Sequence, residues 1–206
     1  ADGFRGVIDL VGMTAIYWDD AGHGVRFDRA GIPSAMLSLA QEYREKLIES
    51  AADGNESLLK KYLESGDLSP VEIRQGLRLR TLRSEILPVT CGSAFRNKGV
   101  QAVLDAIVEY LPSPADKPPV IGILENGEPG TRIVSDDEPF SALAFKVAAD
   151  PLAANLAFFR VYSGVLSVGD EVFNPATGAS TKIARLVQMH ANERDEIPEV
   201  RAGDIA

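Results

Sequence analysis

The segment Pro112-Ser-Pro-Ala-Asp-Lys-Pro-Pro119 constrains what this chain can fold into more than any other. Each proline fixes φ and removes a backbone donor, so neither a helix nor a central strand can run through it. It predicts an extended, semi-rigid linker. The hydrophobic pattern changes period across it, from three and four residues upstream to two downstream, which marks a change of fold class. The boundaries that follow are 1–111 for a first domain, 112–119 for the linker and 120–206 for a second domain. At 206 residues, each part is long enough to bury its own core.

Upstream, Val7 to Trp18 alternate loosely and are rich in β-formers, so they predict a strand or hairpin that Asp19 to Gly24 interrupts and Val25 to Phe27 resumes. From Ser34, Met36, Leu39, Ala40, Tyr43, Leu47 and Ala51 recur at helical spacing and predict one apolar stripe, with Glu42, Arg44, Glu45 and Glu49 on a solvated face. A second short helix spans Glu56 to Leu63 and ends at Gly66. Ser69-Pro-Val-Glu72 places an N-cap, a proline at N1 and a glutamate at N3, a capping box for a helix carrying Ile73 and Leu77. Ile86 to Thr90 read as an apolar strand, with Cys91 packed beside it. The loop that follows leads into a helix marked by Val100, Val103, Leu104, Ile107 and Leu111, stopped by Pro112 and Pro114.

Downstream, Leu143, Phe145 and Val147 alternate with Ala142, Ala144 and Lys146, and Leu156 to Tyr162 repeat the pattern. Ser163-Gly164, Val168-Gly-Asp170 and Asn174 to Gly178 punctuate these strands as turns, at the spacing of an all-β barrel or sandwich.

Composition narrows the function. A formal charge of −9 and a pI near 4.8 argue against a general nucleic-acid or DNA binder, which needs clustered Lys and Arg. One cysteine forms no internal disulfide, and without spaced Cys or His partners it forms no zinc site. The apolar stretches fall short of a membrane span, and Ala1-Asp-Gly-Phe-Arg5 is not a secretion signal, so the chain reads as soluble and cytoplasmic. His23 and His190 stand alone near polar loops, and Asp19-Asp20 and Asp136-Asp137 read as solvated turns, so no catalytic residue is assigned.

Cys91-Gly-Ser-Ala-Phe-Arg-Asn-Lys-Gly-Val-Gln101 lies between the expected strand and helix, where a loop offers backbone amides to a ligand. Together with Gly6-Val-Ile-Asp-Leu10, Tyr110 to Pro114, Asp136 to Phe140, Asp150 to Leu156, Phe158 to Gly164, Val187 to Asn192 and Val200 to Ile205, in that order, it resembles elongation factor G of the translational GTPase family. The resemblance implies an α/β first part, made of an inserted subdomain plus the last strand and helix of a P-loop GTPase domain, followed by an all-β translation-factor barrel. Peptide-release and ribosome-protection relatives are the alternatives within the class. A non-enzymic ribosome- or RNA-binding module is the alternative outside it.

For the site, the resemblance implies that Ser93 and Ala94 lie against the guanine ring. Lys98 either stacks its stem on the base or is solvated. The parent would be a GTP hydrolase that couples hydrolysis to movement of transfer and messenger RNA, using GTP, GDP and magnesium. No cofactor or activity is expected of this chain alone, because it lacks the Gly-rich phosphate loop. Asp9-Leu-Val-Gly12 and Asp19-Asp-Ala-Gly22 fit Asp-x-x-Gly but read as turns, and Asn97-Lys98 starts an Asn-Lys-x-Asp that Val100 breaks. The implied partners are the acidic ribosomal stalk protein, through the helical insertion, and small-subunit ribosomal RNA, through Lys182, Arg185 and Arg194 of the barrel. The family's barrel also continues past Ala206, which implies an open edge around Lys182 to Met189 that invites pairing.

Overall fold

The structure, a computed structural model, describes residues 3–19, 24–124, 126–150, 154–191 and 193–206. The chain forms two compact units, Ala1–Pro112 and Ser113–Ala206.

In the first unit, β1 (Gly6–Asp9), β2 (Thr14–Trp18) and β3 (Phe27–Ala30) make an antiparallel meander in that order. Asp9-Leu-Val-Gly12 is the β1–β2 turn, where Asp9 Oδ1 accepts the Val11 N–H at 2.9 Å. Residues 20–22 of the second Asp-x-x-Gly match, and His23, fall outside the described residues. Four helices follow: α1 (Ser34–Ala52), α2 (Glu56–Ser65), α3 (Pro70–Leu82) and α4 (Val100–Tyr110). Asn55 caps α2 by accepting the Leu58 N–H, and Gly66 ends it in the left-handed region at φ 74°.

The box at Ser69 forms as its sequence requires. Glu72 accepts the Ser69 N–H at 2.9 Å, the Ser69 hydroxyl accepts the Glu72 N–H, and Lys61 Nζ adds an ion pair at 2.7 Å. The Lys61 bond first, then those from Ser69, hold the Glu72 carboxyl down to about 2, against an ordinary 4.5. A depressed carboxylate stabilises the fold above its unfolded pKa and loses that contribution as pH falls through the folded one. Amide protection at the start of α3 is therefore expected to weaken between about pH 4.5 and 2, and Glu72→Gln to abolish that dependence. A carboxyl titration midpoint near 4.5 for Glu72 would contradict the box.

The helical core joins Ile48, Ala51, Ala52, Leu58, Leu68, Ile73, Leu77 and Tyr110. The stripe expected on α1 is buried in part: Ala40 and Ala51 are buried and Leu47 packs on the core. Met36, Leu39 and Tyr43 are exposed and, with Ile8, Leu10 and Ala40, line an open cleft of about 180 Å³. The small Ala51 lies deepest, because Gly76 of α3 brings the two backbones together: a Cβ at Gly76 would lie 2.1 Å from the Ala51 carbonyl oxygen.

Arg44 is not on a solvated face either. Its Nη1 donates to the Leu10 and Val11 carbonyls at 2.7 and 2.8 Å, satisfying acceptors that the β1–β2 turn leaves open. Arginines of α3 and of its C-cap, Arg83, serve helix ends in the same way. Arg80 donates to the Ser50 carbonyl at 2.9 Å and Arg83 to Gly54 at 3.1 Å, at the end of α1, while Arg78 reaches the Glu109 and Leu111 carbonyls at 3.0 and 3.1 Å, at the end of α4. Cations fit there because the last carbonyls carry the negative pole of the helix.

Ile86 to Thr90 form no strand: among the described residues they pair with no other segment. Ile86 packs on the helical core, whereas Leu87 and Val89 are 83% and 85% exposed and Cys91 is exposed as well. An extended run becomes a strand only where a second ladder meets it.

The second unit begins with a correction to the linker. Ser113-Pro-Ala-Asp116 is itself a capping box. Ser113 donates its N–H and hydroxyl to Asp116 at 2.7 and 2.9 Å, which folds Pro114–Asp116 into a 3-10 turn instead of an extended run. Beyond it the unit is all β. The ladders are β4 (Val120–Ile123) with β5 (Pro129–Arg132), β6 (Ser141–Asp150) with β7 (Ala154–Ser163), β8 (Leu166–Ser167) with β13 (Glu199–Val200), β9 (Glu171–Asn174) with β10 (Ala179–Lys182), and β11 (Leu186–His190) with β12 (Glu193–Ile197), all antiparallel.

Val161, Leu166, Leu186, Val200 and Ala206 form the core, with Phe140 and Phe159 packed on it. The period of two identified β6 as a strand, but its large residues Leu143, Phe145 and Val147 are exposed. Lys182 to Met189 are not one strand, since β10 ends at Lys182 and Ile183 turns to donate to the Asp170 carbonyl at 2.8 Å. The Asp204 to Ala206 segment pairs with β7: Val161 donates to Asp204 at 2.9 Å, and Phe159 and Ala206 exchange bonds of 2.8 and 3.1 Å.

Candidate functional site

The loop from Ser93 to Lys98 is built by its own backbone. Ser93 and Lys98 exchange bonds of 2.9 and 3.1 Å as an isolated bridge, and between them Ala94–Arg96 form a 3-10 turn in which Arg96 donates to Ser93 at 3.0 Å and Asn97 to Ala94 at 2.9 Å. Asn97 turns the corner in the left-handed region at φ 57°, which asparagine tolerates, and Gly99 follows at φ 89°. Gly92 must lack a side chain, since a Cβ there would sit 2.7 Å from the Lys98 carbonyl oxygen.

This ladder uses the amides of Ser93, Arg96, Asn97 and Lys98. It does not use those of Ala94 and Phe95, which open the 3-10 turn and so lack a partner in the preceding turn. Ser93 is half-buried, and Ala94 is exposed beside a fully exposed Phe95. Ser93 makes no side-chain cap. Lys98, by contrast, is 3% exposed and points inward, its Nζ donating to the Phe4 carbonyl at 3.5 Å. It is not a solvated cation.

In the β unit, Lys182, Arg185 and Arg194 are exposed at separate positions along β10 to β12. Arg185 pairs with Glu196 at 3.6 Å, and Lys182 lies opposite Glu171 in register. Asp136, read as a solvated acid, is a staple: it accepts from Arg201 at 2.9 Å and from the Ala202 N–H at 3.1 Å, and the Arg201 bond foremost lowers its carboxyl. Arg201 also pairs with Glu199. Among the described residues, no group of three or more His, Cys, Asp or Glu side chains could hold a metal, and no helix is long and apolar enough to cross a membrane.

Gln101 carried no sequence signal. It lies in the first turn of α4 and bonds to residues 77 and 83 positions away, so only the folded chain reveals its role.

Residues 155–206 match the family described as elongation factor Tu domain 2. A crystal structure from Thermus thermophilus is similar to this chain with a TM-score of 0.74 at 24% sequence identity, covering 98% of this chain and 27% of the other. The chain therefore spans about a quarter of the length of that structure. The structural likeness shows that this mixed arrangement of helices and strands is shared with part of that protein, and the elongation factor Tu domain 2 match lies in the β unit.

Proposed function

We propose that this chain is part of a ribosomal GTPase of the elongation factor G type, in which the Ser93–Asn97 loop contacts the guanine base. The observation that carries this reading is the pair of amides at Ala94 and Phe95 that the loop's own ladder leaves unused. Guanine presents an acceptor at O6 where adenine presents an amino donor, so backbone N–H donors favour guanine. The domain-2 match in residues 155–206 and the ordered motifs along the chain support the same family.

The residues present fit the base and not the phosphates. No Gly-rich phosphate loop precedes this site, and Asp9 of the Asp-x-x-Gly match is engaged in the β1–β2 turn. Phosphate and magnesium binding, and hydrolysis itself, belong to other residues of the complete protein. The helical insertion is the proposed contact for the acidic stalk protein, and Lys182, Arg185 and Arg194 for ribosomal RNA.

A titration of this chain with GDP and with ADP, followed at the backbone amides, tests the base contact. Only weak binding is expected, because phosphates and magnesium contribute much of a nucleotide's affinity. Millimolar GDP should shift Ala94 and Phe95, and ADP should not. Ala94→Pro removes one donor after a residue whose backbone, at ψ 88°, accepts a following proline. It should weaken the GDP response roughly three- to tenfold, the net value of one hydrogen bond. Equal responses to ADP, or none to GDP, would overturn the contact. Magnesium-dependent micromolar binding would reveal a phosphate site within the chain.

A further inference from the structure

The indole N–H of Trp18, at the end of β2, donates to Gln101 Oε1 at 3.2 Å. The other half of the same amide, Gln101 Nε2, donates to the carbonyl of Gly24 at 3.0 Å and of Val25 at 3.4 Å, just ahead of β3. One planar side chain in the first turn of α4 thus uses its acceptor on one strand of the meander and its donors on the approach to the next. No hydrocarbon of the same size can do this, and glutamate can supply only the acceptor.

Two further contacts join the same parts. Gly24 sits in the left-handed region at φ 74°, and a Cβ there would lie 2.5 Å from the Asn97 carbonyl oxygen and 2.8 Å from that of Arg96. The backbone ahead of β3 therefore rests directly on the corner of the loop. Lys98, the closing residue of the loop, reaches the Phe4 carbonyl just before β1.

We propose that Gln101 is a positioning residue that fixes the Ser93–Lys98 loop onto the β1–β3 meander, so that what the loop binds is transmitted to the meander. The ligand half of this proposal rests on the base contact of Ala94 and Phe95; the mechanical half does not. Trp18 is the chain's single tryptophan and packs against Phe27 at 6.1 Å, so its indole N–H reports on the junction.

The test is amide exchange and the Trp18 indole resonance in wild type, Gln101→Leu and Gln101→Glu. Loss of the amide should speed exchange at Ser93 and Lys98 about tenfold in the leucine variant, with the α1 and α3 amides around Ala51 and Ile73 unchanged, because local opening is limited by local bonds. The glutamate variant should keep the Trp18 bond and still loosen the loop. In wild type, GDP at millimolar concentration should shift the Trp18 indole together with Ala94, and in Gln101→Leu only Ala94. Unchanged loop exchange, or acceleration shared equally by Ala51 and Ile73, would overturn the mechanical half. A GDP response at Ala94 that never reaches Trp18 would overturn transmission. A wild-type loop that ignores GDP but loosens in Gln101→Leu would sink the base contact and leave the positioning role standing.

Discussion

Gly76→Ala is expected to destabilise the first unit by roughly 2–4 kcal/mol, although alanine is the better helix former by about 1 kcal/mol. The added Cβ would lie 2.1 Å from the Ala51 carbonyl oxygen, 2.7 Å from its carbon and 3.0 Å from its Cα, all backbone atoms of α1 that no rotamer change can move. Ala51 is fully buried, and a Cβ at Gly54 would also lie only 2.8 Å from the Gly76 Cα and carbonyl oxygen, so the backbones can separate only by opening the core. The overlap therefore outweighs the propensity gain. Urea unfolding monitored by helical circular dichroism measures it directly, and a midpoint unchanged or raised in Gly76→Ala would contradict the backbone contact between α1 and α3.

Gly164→Ala should cost the second unit a comparable amount, roughly 2–4 kcal/mol, by adding left-handed strain of about 1 kcal/mol to an overlap with fixed backbone. Gly164 has φ 73°, and its Cβ would meet the Phe140 N and Cα at 2.6 Å and the Glu138 carbonyl oxygen at 2.7 Å. The site has little room to give. Gly164 N–H donates to Ser135 at 2.8 Å, and the buried Ser163 hydroxyl bonds both the Pro139 carbonyl and Ser141 at 2.7 Å. Amide exchange along β7 reports the loss, and full protection of Val161 in Gly164→Ala would show that the segment before β6 yields.

What the sequence revealed depended on how local the determining physics is. The Ser69 box was legible because every participant lies within four residues, and Gly66 and Asn174 to Gly178 were legible as stops for the same reason. The equivalent box at Ser113 was just as local, but four prolines around it pointed to an extended linker. The face of α1 is legible at Ala40, Leu47 and Ala51 but not at Met36, Leu39 and Tyr43, whose size suggests burial. Its contact with α3 depends on small residues, Ala51 and Gly76, and Gly76 contributes closeness rather than a hydrophobic signal. Charged residues misled where they serve carbonyls: Arg44 and Lys98 turn inward to backbone acceptors more than thirty positions away. Ser93 and Ala94 stand out through the resemblance alone, whereas the inventory of amides that their loop leaves unused requires the folded backbone.

Ribosome-stimulated nucleotide hydrolysis by the complete polypeptide that carries these residues tests the central claim most directly. GTP turnover should rise with ribosome concentration and saturate, ATP should not be turned over, and Ala94→Pro should erode that preference while leaving ribosome stimulation intact. Absence of GTP hydrolysis at saturating ribosomes, or equal turnover of ATP, would contradict the account.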